Sequence, residues 1–395
     1  TDLLPPVTEP GTNVVGMLFP TLDELKARQT RKWTVYGEDI LPLWIAESDF
    51  PTCPPVKQAI HDAVEHESFG YTPATSDLPD AVSDFYADRY GWRPDPSMIV
   101  HVPDVVRGLL LAVQYMTKPE SSVIVPVPAY PPFLEVPETA GRMRVDVDAY
   151  GGLDLAEIEA AFADGAGSIL LASPNNPLGY TFDAEFLTDL CALADRYDAR
   201  VLVDEIHAPM VFDGTHVAAA GLNETAAKVC ITITATSKAW NIAGLKCAQM
   251  IFTNPTDLDT WHGMTGVAKD GTSTLGIFAA IACYREGVAY LDEQVAYLRE
   301  NRDWLAAELP KRVPGLKVSR PEATYLMWLD FSDTVIGHLE RPAIWVREHA
   351  KVAFNDGLHF GEGGLHHARL NFATSREILE EAVGRLAAVF ADLQR

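Results

Sequence analysis

Short apolar runs and amphipathic stretches alternate through the middle of the chain. Residues 121–127 (SSVIVPV), 142–147, 168–172 (SILLA), 200–203 (RVLV) and 229–233 (VCITI) are rich in β-branched side chains and predict strands. Several are apolar on both faces, the mark of a parallel sheet covered by helices on each side. Residues 154–163 open on an aspartate suited to cap a helix, and apolar residues follow at helical spacing. Residues 183–197 repeat that pattern. Strands alternating with helices of this length predict an α/β fold with a large, doubly wound, mainly parallel sheet.

From about Tyr284 the pattern changes. Residues 286–309 predict one long, charged, amphipathic helix that carries Val295, Leu298, Trp304 and Leu305 and leads into a smaller α+β domain. That domain is expected to hold a strand at 323–330, a helix at 342–355 and a last helix from Ser375 onward. The division expected is an N-terminal arm over 1–50 that packs with the small domain, a large domain over 51–285, and the connecting helix with the small domain over 286–395.

Composition narrows the partners. A chain of 395 residues can hold two domains and a sizeable core, and 48% hydrophobic with 22% charged residues is ordinary for a soluble protein. No run approaches the roughly eighteen apolar residues of a membrane span, and residues 1–20 lack the pattern of a signal peptide. A formal charge of −24 opposes binding to nucleic acid or to an anionic membrane. The five cysteines (Cys53, Cys191, Cys230, Cys247, Cys283) are scattered, odd in number and never spaced as a metal pair, which suits a reducing cytoplasm.

In open parallel sheets, ligands bind beyond the carboxyl ends of the strands. After 168–172 the chain continues Ser173-Pro174-Asn175-Asn176-Pro177-Leu178-Gly179, and after 200–203 it continues Asp204-Glu205-Ile206-His207. After 229–233 comes Thr234-Ala235-Thr236-Ser237-Lys238-Ala239-Trp240-Asn241-Ile242-Ala243-Gly244. An amide, a carboxylate and a lysine are therefore expected to converge at three strand ends.

These ordered motifs, with the later run Ala368-Arg369-Leu370-Asn371-Phe372-Ala373, resemble the aspartate-aminotransferase superfamily of fold type I pyridoxal-phosphate enzymes. The likeness runs from about Lys32 to Arg376. Finer matches at 32–34, 41–50, 70–72, 240–246 and Phe360-Gly361 resemble its branch of MalY/PatB-type cystathionine β-lyases, which are carbon–sulfur lyases. Within that branch Trp240 replaces a commoner phenylalanine, and Glu47 and Ser48 replace a commoner Asp-Met pair.

The resemblance implies pyridoxal 5′-phosphate as cofactor and assigns roles. Lys238 would hold it as a Schiff base and move protons, while Asp204 would keep the pyridine nitrogen protonated. Asn176 would donate to the phenolic oxygen, and Tyr130 would stack on the ring. His207 stands where many relatives carry tyrosine, and a direct contact and an orienting, packed role both stay open. The amides of Val105, Val106 and Arg107 at a helix start would cradle the phosphate, helped by Ser237 and by Lys246, which stands where many relatives have arginine. Tyr71 would reach the phosphate of a neighbouring subunit, implying a homodimer with shared active sites.

Arg369 would grip the substrate carboxylate as a bidentate fork, with Asn176 and Ala46 on the substrate side. His366 and His367 lack a third ligand at workable spacing, so no metal is expected. The reaction implied is α,β-elimination of L-cystathionine to homocysteine, pyruvate and ammonia, with Lys238, Asp204 and Tyr71 as catalytic residues. Lys238 and Tyr71 are both candidates to protonate the leaving thiolate. An aminotransferase activity and an added regulatory, protein-binding role are the alternatives.

Overall fold

The computed structural model describes residues 18–393. The first 17 residues of the expected arm, and with them most of the segment read for a signal peptide, lie outside the described residues. The described chain opens with two short helices, Leu22–Ala27 and Arg31–Thr34, and a two-residue strand, β1 (Leu41–Pro42). Thr21 and Glu24 cap the first helix reciprocally, each side chain bonding to the other's backbone amide.

The large sheet has seven strands: β2 (Ile99–Val102), β3 (Ser122–Val127), β4 (Arg144–Asp148), β5 (Ala166–Ala172), β6 (Arg200–Asp204), β7 (Cys230–Ala235) and β8 (Ala248–Ile251). Their order is β2-β8-β7-β6-β5-β3-β4. From β7 to β4 every pairing is parallel, whereas β8 runs antiparallel to both β7 and β2. The α/β, doubly wound, mainly parallel fold expected from the pattern is the one that forms. Alternation along each strand builds two cores. Val123, Val125, Leu170, Leu202 and Ile231 pack with Leu109 and Phe133 on one face. Ile124, Ile169, Leu171, Val201 and Val203 pack with Ile158, Leu187 and Leu190 on the other. The helices of the second face, Leu155–Ala163 and Ala184–Arg196, are capped by Asp154 and Asp183 as the pattern required.

The C-terminal sheet is antiparallel, ordered β12-β13-β10-β9, where β9 is Lys317–Val318, β10 Leu326–Asp330, β12 Asn355–Asp356 and β13 His367–Asn371. One further strand, β11 (Val352–Ala353), pairs in parallel with β1 and ties the N-terminal segment to this end of the chain. Helices Val288–Arg312 and Arg376–Leu393 add their apolar faces to the shared core.

Three local readings change. The long helix begins at Val288, because the preceding helix Thr274–Glu286 ends at Gly287. A side chain there would meet Trp240 Nε1 at 2.6 Å and the Cys283 carbonyl at 2.7 Å, so the tight junction needs glycine. The helix read over 342–355 stops at Ala350, where Lys351 turns left-handed with φ 56° and the chain becomes β11 and then β12. Finally, β2 and β8 are four residues each, too short to announce themselves by periodicity. No helix of the described residues is long and apolar enough to cross a membrane.

Candidate active site

Register brings the three strand ends level: Ala172 lies opposite Asp204, and Asp204 opposite Ile233. The residues just beyond β5 and β7 therefore meet Asp204 at one edge of the sheet. They line a cavity of about 340 Å³ together with Ala46, Val105, Val106, Tyr130, His207 and Lys246.

Lys238 projects into this cavity from the turn after β7, and its Nζ donates to the Ala46 carbonyl at 2.8 Å. Burial, with Arg369 nearby, depresses it to about 8, although Asp204 and Glu47 oppose the shift. Burial pushes Asp204 up to about 7, against the Ile206 amide that donates to its carboxylate at 3.0 Å and the pull of Lys238. A further cation facing this carboxylate would favour its ionised form near neutral pH. His207 is buried and held neutral, depressed to about 3 by burial and by Lys238 and Arg369. Its Nδ1 has no hydrogen-bond partner among the described residues.

Arg369 rises from the middle of β13 and is fully buried. Its Nη1 donates to Asn176 Oδ1 at 3.0 Å and its Nη2 to the Trp44 carbonyl at 3.3 Å, while Nε has no partner among the described residues. Burial lowers it to about 10, which leaves it cationic at neutral pH. Asn176 thus links Arg369 to the cavity. Tyr130 occupies the N-cap position of the helix Pro131–Thr139 after β3 and lines the cavity.

The helix Val105–Tyr115 points its amino end at the cavity. Val105 and Val106 lie in the lining, but Arg107 does not. The Arg107 amide is capped by the Asp104 carboxylate at 2.8 Å, and its guanidinium turns away to the Ala268 carbonyl. Lys246 pairs with the other oxygen of Asp104 at 2.8 Å, and Ser237 sits beside Lys238. Tyr71 stands apart: its side chain is fully exposed on a loop outside the cavity. His366 and His367 bond to the carbonyls of Leu339 and Leu365, and the described residues hold no group of three or more His, Cys, Asp or Glu side chains suited to a metal ion.

One part of the site acts through groups that no motif displays. Beside the Glu47 carboxylate already noted, the segment 44–48 contributes backbone. Besides the bonds already given, the Ala46 carbonyl accepts from Tyr325 Oη, and Asn371 Nδ2 donates to the carbonyls of Ile45 and Glu47 at 2.7 Å each. Asn241 bonds both the amide and the carbonyl of Ser48 at 2.9 Å. Asn241 and Asn371 stand inside the motifs around Lys238 and Arg369, the one signal that could have marked them. Tyr325 carries no such mark.

A lysine, a carboxylate and an amide at the strand ends of the large sheet, with a buried arginine from the C-terminal sheet bonded to the amide, define a fold type I enzyme site. The chain belongs to the aminotransferase class I and II family, whose model matches residues 38–386. It is 55% identical to cystathionine beta-lyase of Corynebacterium glutamicum, over 94% of this chain and all of that one. A solved structure from Corynebacterium diphtheriae, assigned as a PLP-dependent beta-cystathionase, is 57% identical and superposes with a TM-score of 0.93, covering 95% of this chain and 99% of that one. Cystalysin from Treponema denticola, solved with pyridoxal 5′-phosphate, is 26% identical with a TM-score of 0.88, covering 95% and 99%.

Proposed function

We propose that this chain is a pyridoxal-phosphate-dependent carbon–sulfur β-lyase that cleaves L-cystathionine to homocysteine, pyruvate and ammonia. The observation that carries the reading is that Lys238, Asp204 and Asn176 line one cavity and that Arg369 is bonded to Asn176, in a chain whose full-length relative at 55% identity is a cystathionine beta-lyase.

The donor set suits the cofactor. His207 Nδ1 and Arg369 Nε are buried polar atoms without partners among the described residues, a costly arrangement unless a ligand satisfies them. A helix amino end with Val105 and Val106, the Ser237 hydroxyl and the Lys246 ammonium suit a phosphate. Asp204, raised by burial, suits a protonated ring nitrogen as the missing cation. Asn176 and neutral His207 would address the phenolic edge, and Tyr130 the ring face. When bound, the cofactor supplies an electron sink for negative charge at the substrate α-carbon.

The residues then divide the work. Arg369 would offer the substrate carboxylate its unpartnered Nε–H and a remaining Nη hydrogen, while the bonds to Asn176 and Trp44 orient the group. Lys238, depressed to about 8, is partly neutral near pH 8, and so can bond covalently to the cofactor and later take the α-proton. The Ala46 carbonyl orients it. A thiolate leaves from the β-carbon, and Lys238 or Tyr71 returns a proton to it.

Tyr71 lies outside its own cavity and, with exposed Phe69 in the same loop, supports a homodimer in which it serves the site of a second copy. Five buried free thiols support a reducing, cytoplasmic setting. The test is pyruvate release from L-cystathionine by purified protein without a keto-acid acceptor. A requirement for an acceptor would make the enzyme an aminotransferase instead.

A further inference from the structure

The plane of the Arg369 guanidinium is held on its face as well as its edge. Its centre lies 4.8 Å from the centroid of the Phe360 ring. Phe360 is itself fully buried and meets Trp328 edge-on, with centroids 5.2 Å apart and planes at 79°. Trp328 and Arg369 are direct cross-strand partners on β10 and β13, so cation, ring and indole form one stack at the sheet. The far end is tied down too. Trp328 Nε1 donates to Tyr150 Oη at 3.1 Å, and that hydroxyl donates to the Gly363 carbonyl at 2.6 Å.

The backbone around Phe360 leaves it little freedom. The Ala129 amide, next to Tyr130, donates to the Phe360 carbonyl at 2.9 Å. Gly361 comes next with φ 106°, and a side chain there would meet Val127 Cγ1 at 2.5 Å. The segment 360–363 therefore fastens the end of β3 to the arginine on β13. A buried guanidinium without this support could turn about its long stem, and two edge bonds alone leave that rotation soft.

We infer that Phe360 is a positioning residue for substrate binding: pinned by Trp328 and the Ala129 backbone, its ring fixes the guanidinium plane of Arg369, whose Nε is left without a partner among the described residues. The inference rests on the reading of Arg369 as the carboxylate clamp, and it adds a residue that touches neither substrate nor cofactor.

The test uses holoenzyme and two probes read by the change in cofactor absorption: an unreactive α-methyl amino acid, and an alkylamine that lacks a carboxylate. Phe360→Leu removes the ring face and should weaken the amino acid by about three- to thirtyfold, the span of a buried cation–π contact. Amine affinity and the resting cofactor band should stay as in wild type, and in turnover KM should rise with kcat changed far less. If Phe360→Leu does not fold, Phe360→Met, whose flexible side chain adapts to the vacated space without a ring, carries the same expectation. Arg369→Lys separates the two claims. If it weakens the amino acid and the Phe360 variants do not, the inference on Phe360 is overturned and the clamp stands. If Arg369→Lys leaves amino-acid affinity unchanged, the clamp reading itself is wrong. Equal loss for amine and amino acid in the Phe360 variants would mark a structural role only, and would also overturn the inference.

Discussion

Lys238 Nζ lies 2.8 Å from the carbonyl oxygen of Ala46, so the lysine at the end of β7 is held by a residue 192 positions earlier in the chain. That contact orients an amine whose burial depresses it to about 8. Lys238→Ala should abolish turnover while retaining weaker cofactor binding through the phosphate contacts. Borohydride treatment of wild type should fix the cofactor on the peptide containing Lys238, and mass mapping to another lysine would dismiss the assignment.

Asp204 provides a pH signature in protein stripped of cofactor. Its folded value of about 7 lies above the ordinary 3.8, so the folded state binds the proton more tightly than the unfolded one. The associated stability is complete below about pH 4 and is lost as pH rises through 7, amounting to at most about 4 kcal/mol for a fully buried group. His207, depressed to about 3, works in the opposite sense over about pH 3 to 6.5, so wild type alone will not report Asp204 cleanly. The difference in denaturation free energy between wild type and Asp204→Asn isolates it. Wild type should lose ground to Asp204→Asn between pH 4 and 7, and a flat difference would contradict the assigned environment.

Lys32 and Asp49 form a buried ion pair at 2.7 Å directly beneath segment 44–48. Trp33 Nε1 also donates to Asp49, and Lys32 also reaches the Glu47 carbonyl. Lys32→Met strands a buried carboxylate and should cost about 3–5 kcal/mol in urea unfolding. The double variant Lys32→Met, Asp49→Asn should recover part of that loss. A single variant within about 1 kcal/mol of wild type, the worth of a surface pair, would remove the pair from the account.

The shared-site dimer has its own test. Lys238→Ala and Tyr71→Ala homodimers, each impaired alone, should recover activity after subunits exchange, because one site of each hybrid combines an intact Lys238 with an intact Tyr71. The other site carries both defects, so recovery is limited to about half of wild type per hybrid, one site of two. If Tyr71→Ala is crippled and demonstrated hybrids stay inactive, Tyr71 works within its own subunit.

Much of this was legible because it is local. Continuous apolar runs in SILLA and RVLV mark strands buried on both faces, and Asp154 and Asp183 mark helix starts, since each property depends on a few neighbouring residues. Lys238, Asp204 and Asn176 could be brought together on paper because parallel strands deliver their succeeding residues to the same edge. The Arg107 amide misled for an equally local reason: a helix start predicts free amides, yet the aspartate before it caps that one.

The sequence by itself thus marked the parallel strands of the sheet, the candidate reacting side chains and the edge at which they gather. Only the tertiary structure decided how they are held. The carbonyls of Trp44, Ile45, Ala46 and Glu47 support Arg369, Asn371 and Lys238, and a carbonyl looks the same in every residue type. The values of Asp204 and Lys238 depend on how much water the fold removes and on which charges it brings near. The stack of Arg369 on Phe360 depends on Trp328, 32 residues before Phe360 in the chain and adjacent only through the pairing of β10 with β13. Desolvation and long-range packing belong to the assembled fold, and no pattern of neighbouring residues encodes them.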